Sequence, residues 1–199
     1  MGVDGSAGPA DPPESLELGD AVLRRTREGD AAVLLDAVNA SFAELHPWMP
    51  WAARPLTLDD EFEMIAAAQD NWRNGDAYLY GAFAPDGTAL GGFGMHRRVG
   101  PGAIEIGYWL RTGHTGRGLA TRAVRALTTA ALALPDISRV EIHCDEANTA
   151  SAAVPHRLGY HLAETRPTTP EAPAETGRTL IWTTAALPHG PPRGNTARR

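Results

Sequence analysis

Gly113-His114-Thr115-Gly116-Arg117-Gly118-Leu119-Ala120-Thr121 is the stretch on which the fold turns, because it joins two different periodicities. Upstream, Ile104, Ile106 and Tyr108 alternate with Glu105, Gly107 and Trp109, the period of a strand. Downstream, Leu119, Ala123, Leu127, Ala130, Ala131 and Leu134 form one stripe with Arg122, Arg125 and Thr129 outside it, which predicts a helix over 119–134. Glycines between strand and helix let backbone N–H groups turn into one concavity, and the helix N-terminus adds about half a positive charge. A phosphate or pyrophosphate can rest in such a place without a lysine. A plain strand-to-helix turn would use the same residues.

Known phosphate motifs narrow the reading. A P-loop is excluded, since no Lys-Ser/Thr follows the glycines. The dinucleotide fingerprint is nearly met by Gly116 and Gly118, but its third glycine falls on Thr121. That fingerprint also opens its fold, whereas here a meander precedes the loop. Ala77–Ala84 and Leu90–Arg98 read as strands joined by the turn Pro85-Asp86-Gly87-Thr88. Further upstream lie a strand at Ala21–Thr26 and a helix capped by Asp30 with Ala31, Leu34, Leu35, Val38 and Phe42 on one face. After the irregular HPWMPW segment, His46–Trp51, a second helix opens on a Thr57/Asp60 capping box and ends at Asn74-Gly75. Beyond the long helix come a strand at Val140–Cys144, a short helix from Asn148 to Gly159, and strands at Tyr160–Glu164 and Arg178–Thr184. The order is βααβββαβαββ, an α/β domain with antiparallel strands first and a crossover helix later.

Composition sets outer bounds. The 199 residues suit one domain with spare ends, and all 18 basic residues are arginine, a bias expected of a GC-rich bacterial genome. The net charge of −6 argues against non-specific nucleic-acid binding. No apolar run approaches the roughly 18 residues of a membrane span. The start lacks the basic and apolar regions of a signal peptide, and the single cysteine, Cys144, cannot form an internal disulfide; a cytoplasmic location is expected. Cys144 alternates in phase with Val140 and Ile142 and is expected in the core, a nucleophilic role beside His143 being the alternative. The seven histidines show no metal-ligand spacing, and no metal is expected.

The loop resembles the acyl-coenzyme-A pyrophosphate loop of the GNAT N-acetyltransferases, Arg/Gln-x-x-Gly-x-Gly/Ala before a helix, here Thr115-Gly116-Arg117-Gly118-Leu119-Ala120. Thr115 departs from the usual Arg or Gln. A second match is Asn148-Thr149-Ala150-Ser151 through Leu158-Gly159-Tyr160, similar to the family's Asn-x-x-Ser/Ala…Leu-Gly-Phe/Tyr segment. Ile106-Gly107-Tyr108-Trp109-Leu110 and HPWMPW resemble the RimJ/RimL-like subgroup, and the resemblance spans roughly residues 20–185. It implies a GNAT-like mixed, mainly antiparallel sheet flanked by helices, with an acetyl-CoA cleft between splayed central strands. The domain would occupy 16–187, with disordered ends at 1–15 and 188–199.

The resemblance also implies roles. Thr115, Gly116, Arg117, Gly118, Leu119, Ala120 and Thr121 would hold the pyrophosphate, and Tyr108, Trp109 and Leu110 the pantetheine arm through their backbone. Asn148 would contact the cofactor, cap its helix, or both. The family's usual tyrosine acid falls on Pro155, so Ser151 is expected beside the departing sulfur. Glu105 is the candidate for polarising a water near the amine; a solvated strand carboxylate is the plain alternative. Trp48, Met49 and Trp51 are expected at the acceptor pocket, with Tyr80, Phe93 and His96 contributing. The implied reaction moves acetyl from acetyl-CoA to a primary amine, a protein N-terminus or a small molecule, by direct attack in a ternary complex. A non-catalytic acyl-CoA-binding domain and a nicotinamide-dependent oxidoreductase stay as alternatives, and a homodimer is an expectation at the family level.

Overall fold

A computed structural model describes residues 11–187. Eight strands form one sheet: β1 Ser15–Glu17, β2 Val22–Arg25, β3 Ala77–Phe83, β4 Ala89–His96, β5 Ala103–Leu110, β6 Arg139–Asp145, β7 His161–Pro167 and β8 Arg178–Thr184. Their spatial order is β1-β2-β3-β4-β5-β6-β8-β7. All neighbours are antiparallel except β5 and β6, which are parallel because helix α4, Leu119–Leu132, carries the chain across between them. Helices α1 (Ala31–Ala40), α2 (Phe42–Leu45) and α3 (Leu58–Asn74) precede the meander, and α5 (Thr149–Leu158) follows β6.

Alternation along the strands decides which helices meet which residues. Tyr78, Tyr80, Phe93, Met95, Ile104, Ile106, Val140 and Ile142 gather in one core with Leu119, Ala123, Val124 and Leu127 of α4 and Val154 and Leu158 of α5. A smaller cluster packs Ala31, Leu34 and Ala37 of α1 and Ile65 of α3 against Phe83 and Ala89. The Thr57 capping box forms as its sequence predicts: Thr57 Oγ1 accepts from the Asp60 N–H at 3.2 Å, and Asp60 Oδ2 accepts from the Thr57 N–H at 2.7 Å.

Three local expectations are corrected. The helix read through Phe42 breaks at Ser41, whose buried hydroxyl donates to the Ala37 carbonyl (2.7 Å) and accepts the Thr112 N–H (2.9 Å), tying α1 to the start of the glycine loop. The last sheet edge runs further than Tyr160–Glu164, because β7 pairs with β8 as far as Pro167↔Arg178. The arm expected over 1–15 does not extend to residue 15. Pro12 is buried, the Pro13 carbonyl accepts the Tyr80 hydroxyl at 2.9 Å, and Ser15 opens an edge strand paired with Arg24. Residues 1–10 and the tail expected at 188–199 lie outside the described residues.

Candidate active site

The parallel pairing of β5 with β6 stops at Glu105↔Glu141. Beyond it, β5 stays paired with β4 to Leu110, and β6 stays paired with β8 to Asp145, so the β6-facing edge of residues 106–110 has no strand partner. This is the splay expected for a pantetheine arm. The cleft of about 1060 Å³ runs through this splay: Ile106, Tyr108, Asn148 and Ser151 line it on one side, and Trp48, Trp51 and Glu61 line it on the other.

At the loop, Gly116 (φ 74°) and Gly118 (φ 75°) lie in the left-handed region, where a side chain would strain the backbone. A Cβ on Gly116 would meet nothing within 4 Å, so the concavity stands open. Gly118 is the N-cap of α4 and supplies no side-chain cap. The first N–H groups of the helix, Leu119, Ala120 and Thr121, therefore have no intrahelical partner and face the concavity's end of the helix. Arg122 lies outside the helix stripe, as expected, and folds back, Nη1 donating to the Arg117 carbonyl (3.1 Å) and Nη2 to Asp20 (2.5 Å). Its Nε is buried without a partner among the described residues. An open anion cradle, an orphaned cationic N–H and an unpaired strand edge in line fit acetyl-CoA.

Across the splay, Pro155 has a consequence for Tyr108. Proline has no N–H, so the carbonyl one turn back in α5, that of Ser151, loses its helical partner. The Tyr108 hydroxyl donates to that carbonyl at 2.9 Å and accepts from Ser151 Oγ at 3.2 Å. Burial raises the Tyr108 phenol far above its ordinary range, so the hydroxyl keeps its proton. Asn148 caps α5, its Oδ1 accepting the Ser151 N–H at 3.1 Å, and it also lines the cleft. Cys144 is buried beside them; burial pushes its thiol up to about 11, which removes the thiolate that a nucleophilic role needs.

On the other face of β4 and β5, glycines make the floor. A Cβ at Gly92 would stand 2.4 Å from the Trp109 indole Nε1, and one at Gly94 would stand 2.6 Å from His96 Nε2, so both rings lie flat on the sheet. Trp51 tilts against Trp109 with centroids 6.2 Å apart, and Trp48 and Met49 join it on the wall. The β7–β8 connection closes the other side, the Ala174 N–H donating to the Pro47 carbonyl at 3.0 Å. Tyr80 and Phe93 border the cleft, but register places their side chains beside Tyr108, on the opposite face from His96 and Trp109. Their expected place on the acceptor wall is corrected accordingly: Phe93 stacks on Tyr108, and the Tyr80 hydroxyl is engaged by Pro13.

Glu105 lines the cleft with His96, yet it is not free. Oε2 accepts from Arg98 Nε at 2.8 Å and Oε1 from Arg98 Nη2 at 2.7 Å. Burial alone would raise its carboxyl, but the Arg98 guanidinium outweighs burial and holds it below the usual carboxylate range. A carboxylate clamped by a bidentate arginine is a poor proton acceptor, so the geometry opposes its expected role as a base. His96 is lowered by burial, then by Arg98, and is neutral near pH 7. The group that sequence reasoning missed is Glu61 of α3: it is buried and lines the same cleft, and its helical position among Phe62 and Ile65 carried no motif.

A mixed sheet splayed at one parallel pair, with an open glycine loop before the crossover helix and a cleft through the splay, fits an acyl-coenzyme-A transferase. The acetyltransferase (GNAT) domain family matches residues 20–161, and the chain belongs to that family. It is thus an enzyme that transfers acetyl from acetyl-CoA to an amine. The Bacillus subtilis (strain 168) protein named "Putative ribosomal N-acetyltransferase YdaF" is 32% identical over 143 residues, 69% of this chain and 76% of the relative. Among solved structures, the microcin self-immunity acetyltransferase MccE with acetyl-CoA and AMP superposes with TM-score 0.80 at 19% identity, covering 87% of this chain and 97% of that one. RimL with coenzyme A gives 0.79 at 22%, covering 86% and 98%. RimJ of Mycobacterium smegmatis gives 0.76 at 23%, covering 90% and 86%. Among the described residues, no helix is long and apolar enough to cross a membrane.

Proposed function

We propose that the chain acetylates the α-amine of a protein N-terminus in the cytoplasm, by direct attack in a ternary complex. The observation that carries the reading is the continuity of the splayed β5 edge with a wide cleft whose walls are aromatic and acidic. The part of the cleft walled by Trp48, Met49, Trp51 and Glu61 would receive the first residues of an extended chain. The naming of YdaF as a ribosomal N-acetyltransferase supports a protein acceptor.

When bound, acetyl-CoA supplies the acetyl group as a thioester. The Gly116–Ala120 backbone and Arg122 would hold its pyrophosphate, and the free edge of residues 106–110 its pantetheine amides. The Ser151 hydroxyl, which donates to Tyr108 across the splay, would turn to the departing sulfur, with Tyr108 holding the serine in place. A serine hydroxyl stabilises a thiolate by hydrogen bonding; it does not need to lose its proton. The acceptor's own chemistry makes this sufficient, because an α-amine of pKa about 7.8 is roughly a quarter free base near pH 7.4, whereas a lysine-like amine is about 0.1% free.

The test is release of free thiol from acetyl-CoA, with the acceptor product read by mass. Peptides with free N-terminal serine or alanine are expected to gain one acetyl group at the α-amine. Turnover of spermidine or an aminoglycoside with no turnover of either peptide would overturn the protein-acceptor reading.

A further inference from the structure

Glu171 of the cleft is exposed to solvent, and contacts account for every other carboxylate there but one. Glu105 is clamped by Arg98. Asp145 accepts the N–H groups of Ala147 (2.9 Å) and Thr176 (2.8 Å), and Glu175 accepts that of Glu171 (2.6 Å). Asp60, next to Glu61 in sequence, is spent on Arg54 and the Thr57 cap. Glu61 has no such outlet. It is 5% exposed, and its Oε2 is fully buried with no hydrogen-bond partner among the described residues. It lies in the first turn of α3, which eases a negative charge, but a helix end does not replace a donor at the oxygen. Burial is what raises its carboxyl, to about 7. A buried carboxylate left unpaired costs stability, and such a cost is tolerated where a ligand completes the site.

Besides the tyrosines Tyr80 and Tyr108 and the thiol Cys144, the other titratable groups on the cleft wall are His96, Arg98 and Glu105 from β4, β5 and the turn between them, His143 and Asp145 from β6, and Glu171 and Glu175 from the β7–β8 connection. Among them the lone arginine is already neutralised by Glu105. The wall therefore offers a surplus of negative charge, and Glu61 is the buried part of it with unused acceptor capacity.

We propose that Glu61 receives the ammonium group of the acceptor, so that the cleft selects a cationic amine, and that it takes the proton this amine must lose. The inference rests on reading the cleft as the acceptor site. The ammonium nitrogen gives one proton to Glu61, and its freed lone pair forms the bond to the thioester carbon. The carbon–sulfur bond breaks with its electron pair on sulfur, and the second nitrogen proton neutralises the thiolate. Glu61 then returns its proton to solvent.

The experiment compares wild type with Glu61→Gln, both saturated with free coenzyme A so that no reaction occurs. Calorimetry measures binding of a peptide with a free N-terminal serine and of the same peptide N-acetylated. Wild type is expected to favour the free amine by about tenfold or more, the worth of one charge-assisted hydrogen bond, and Glu61→Gln to bind both alike. The variant's melting temperature should be equal or higher, since it removes an unpaired buried charge; a structural carboxylate would give a lower one. Equal discrimination in both proteins, or none in wild type, overturns the proposal. Thiol release run in parallel separates the two readings. A wild type that discriminates but never releases thiol keeps Glu61 and rejects acetyl transfer. Release together with intact discrimination in Glu61→Gln rejects Glu61 alone.

Discussion

Removing the Tyr108 hydroxyl tests the inferred link between Pro155 and the cleft. In Tyr108→Phe the Ser151 carbonyl loses its one side-chain donor and cannot recover the helical bond, because residue 155 has no N–H. An unsatisfied buried acceptor costs about 1–3 kcal/mol, and Ser151 is half-buried, so the lower half of that range, about 1–2 kcal/mol, is expected. For a domain of this size that lowers the melting temperature by about 2–8 °C. Pro155→Ala restores an N–H beneath the same carbonyl. In the wild-type background that N–H shares an acceptor already satisfied; in the Tyr108→Phe background it rescues an orphan. Urea unfolding of the wild type, both single variants and the double variant forms a cycle, and Tyr108→Phe should cost less by about 1 kcal/mol when residue 155 is alanine. Additivity within about 0.3–0.5 kcal/mol would refute the idea that Tyr108 compensates for the proline. Thiol-release turnover should also fall in Tyr108→Phe, because Ser151 loses the partner that orients it.

Two further outcomes follow from the charges. Glu105→Gln should destabilise by about 1–2 kcal/mol at pH 6, a figure discounted because the Arg98 side chain is 63% exposed. Since the folded Glu105 carboxyl is held below its ordinary value, its contribution is fully present above about pH 4.3 and is lost as pH falls through the folded value; urea midpoints of the two proteins should therefore converge between pH 6 and pH 3. Cys144, with a thiol near 11, is about 0.1% thiolate at pH 8, so a chromogenic disulfide reagent should label native protein far more slowly than protein in urea, and Cys144→Ala should keep its activity.

Much of the architecture was written in local pattern. The strand period ending at Leu110, the helical stripe from Leu119, the glycines between them and the Asn148 segment all act over a few residues, and each formed where its pattern lies. The Thr57 cap did so for the same reason, its two hydrogen bonds being closed within four residues. What sequence could not show is what distant segments do to one another. Glu105 looks like any strand carboxylate until Arg98 turns back over it. Tyr80 and Phe93 look like pocket aromatics until strand register assigns their face. Edge strand β1 hides in a proline-rich start because three residues carry no measurable period, and only pairing with β2 defines it. Sequence by itself determined the strand–glycine loop–helix unit, the family resemblance and the element order apart from β1 and the break at Ser41, because backbone geometry and short-range periodicity are local properties. Tertiary structure alone decided that Tyr108 serves the carbonyl freed by Pro155 and that Glu61 Oε2 is left without a partner among the described residues. Hydrogen-bond satisfaction depends on which groups folding brings within about 3 Å, and no spacing along the chain encodes that distance.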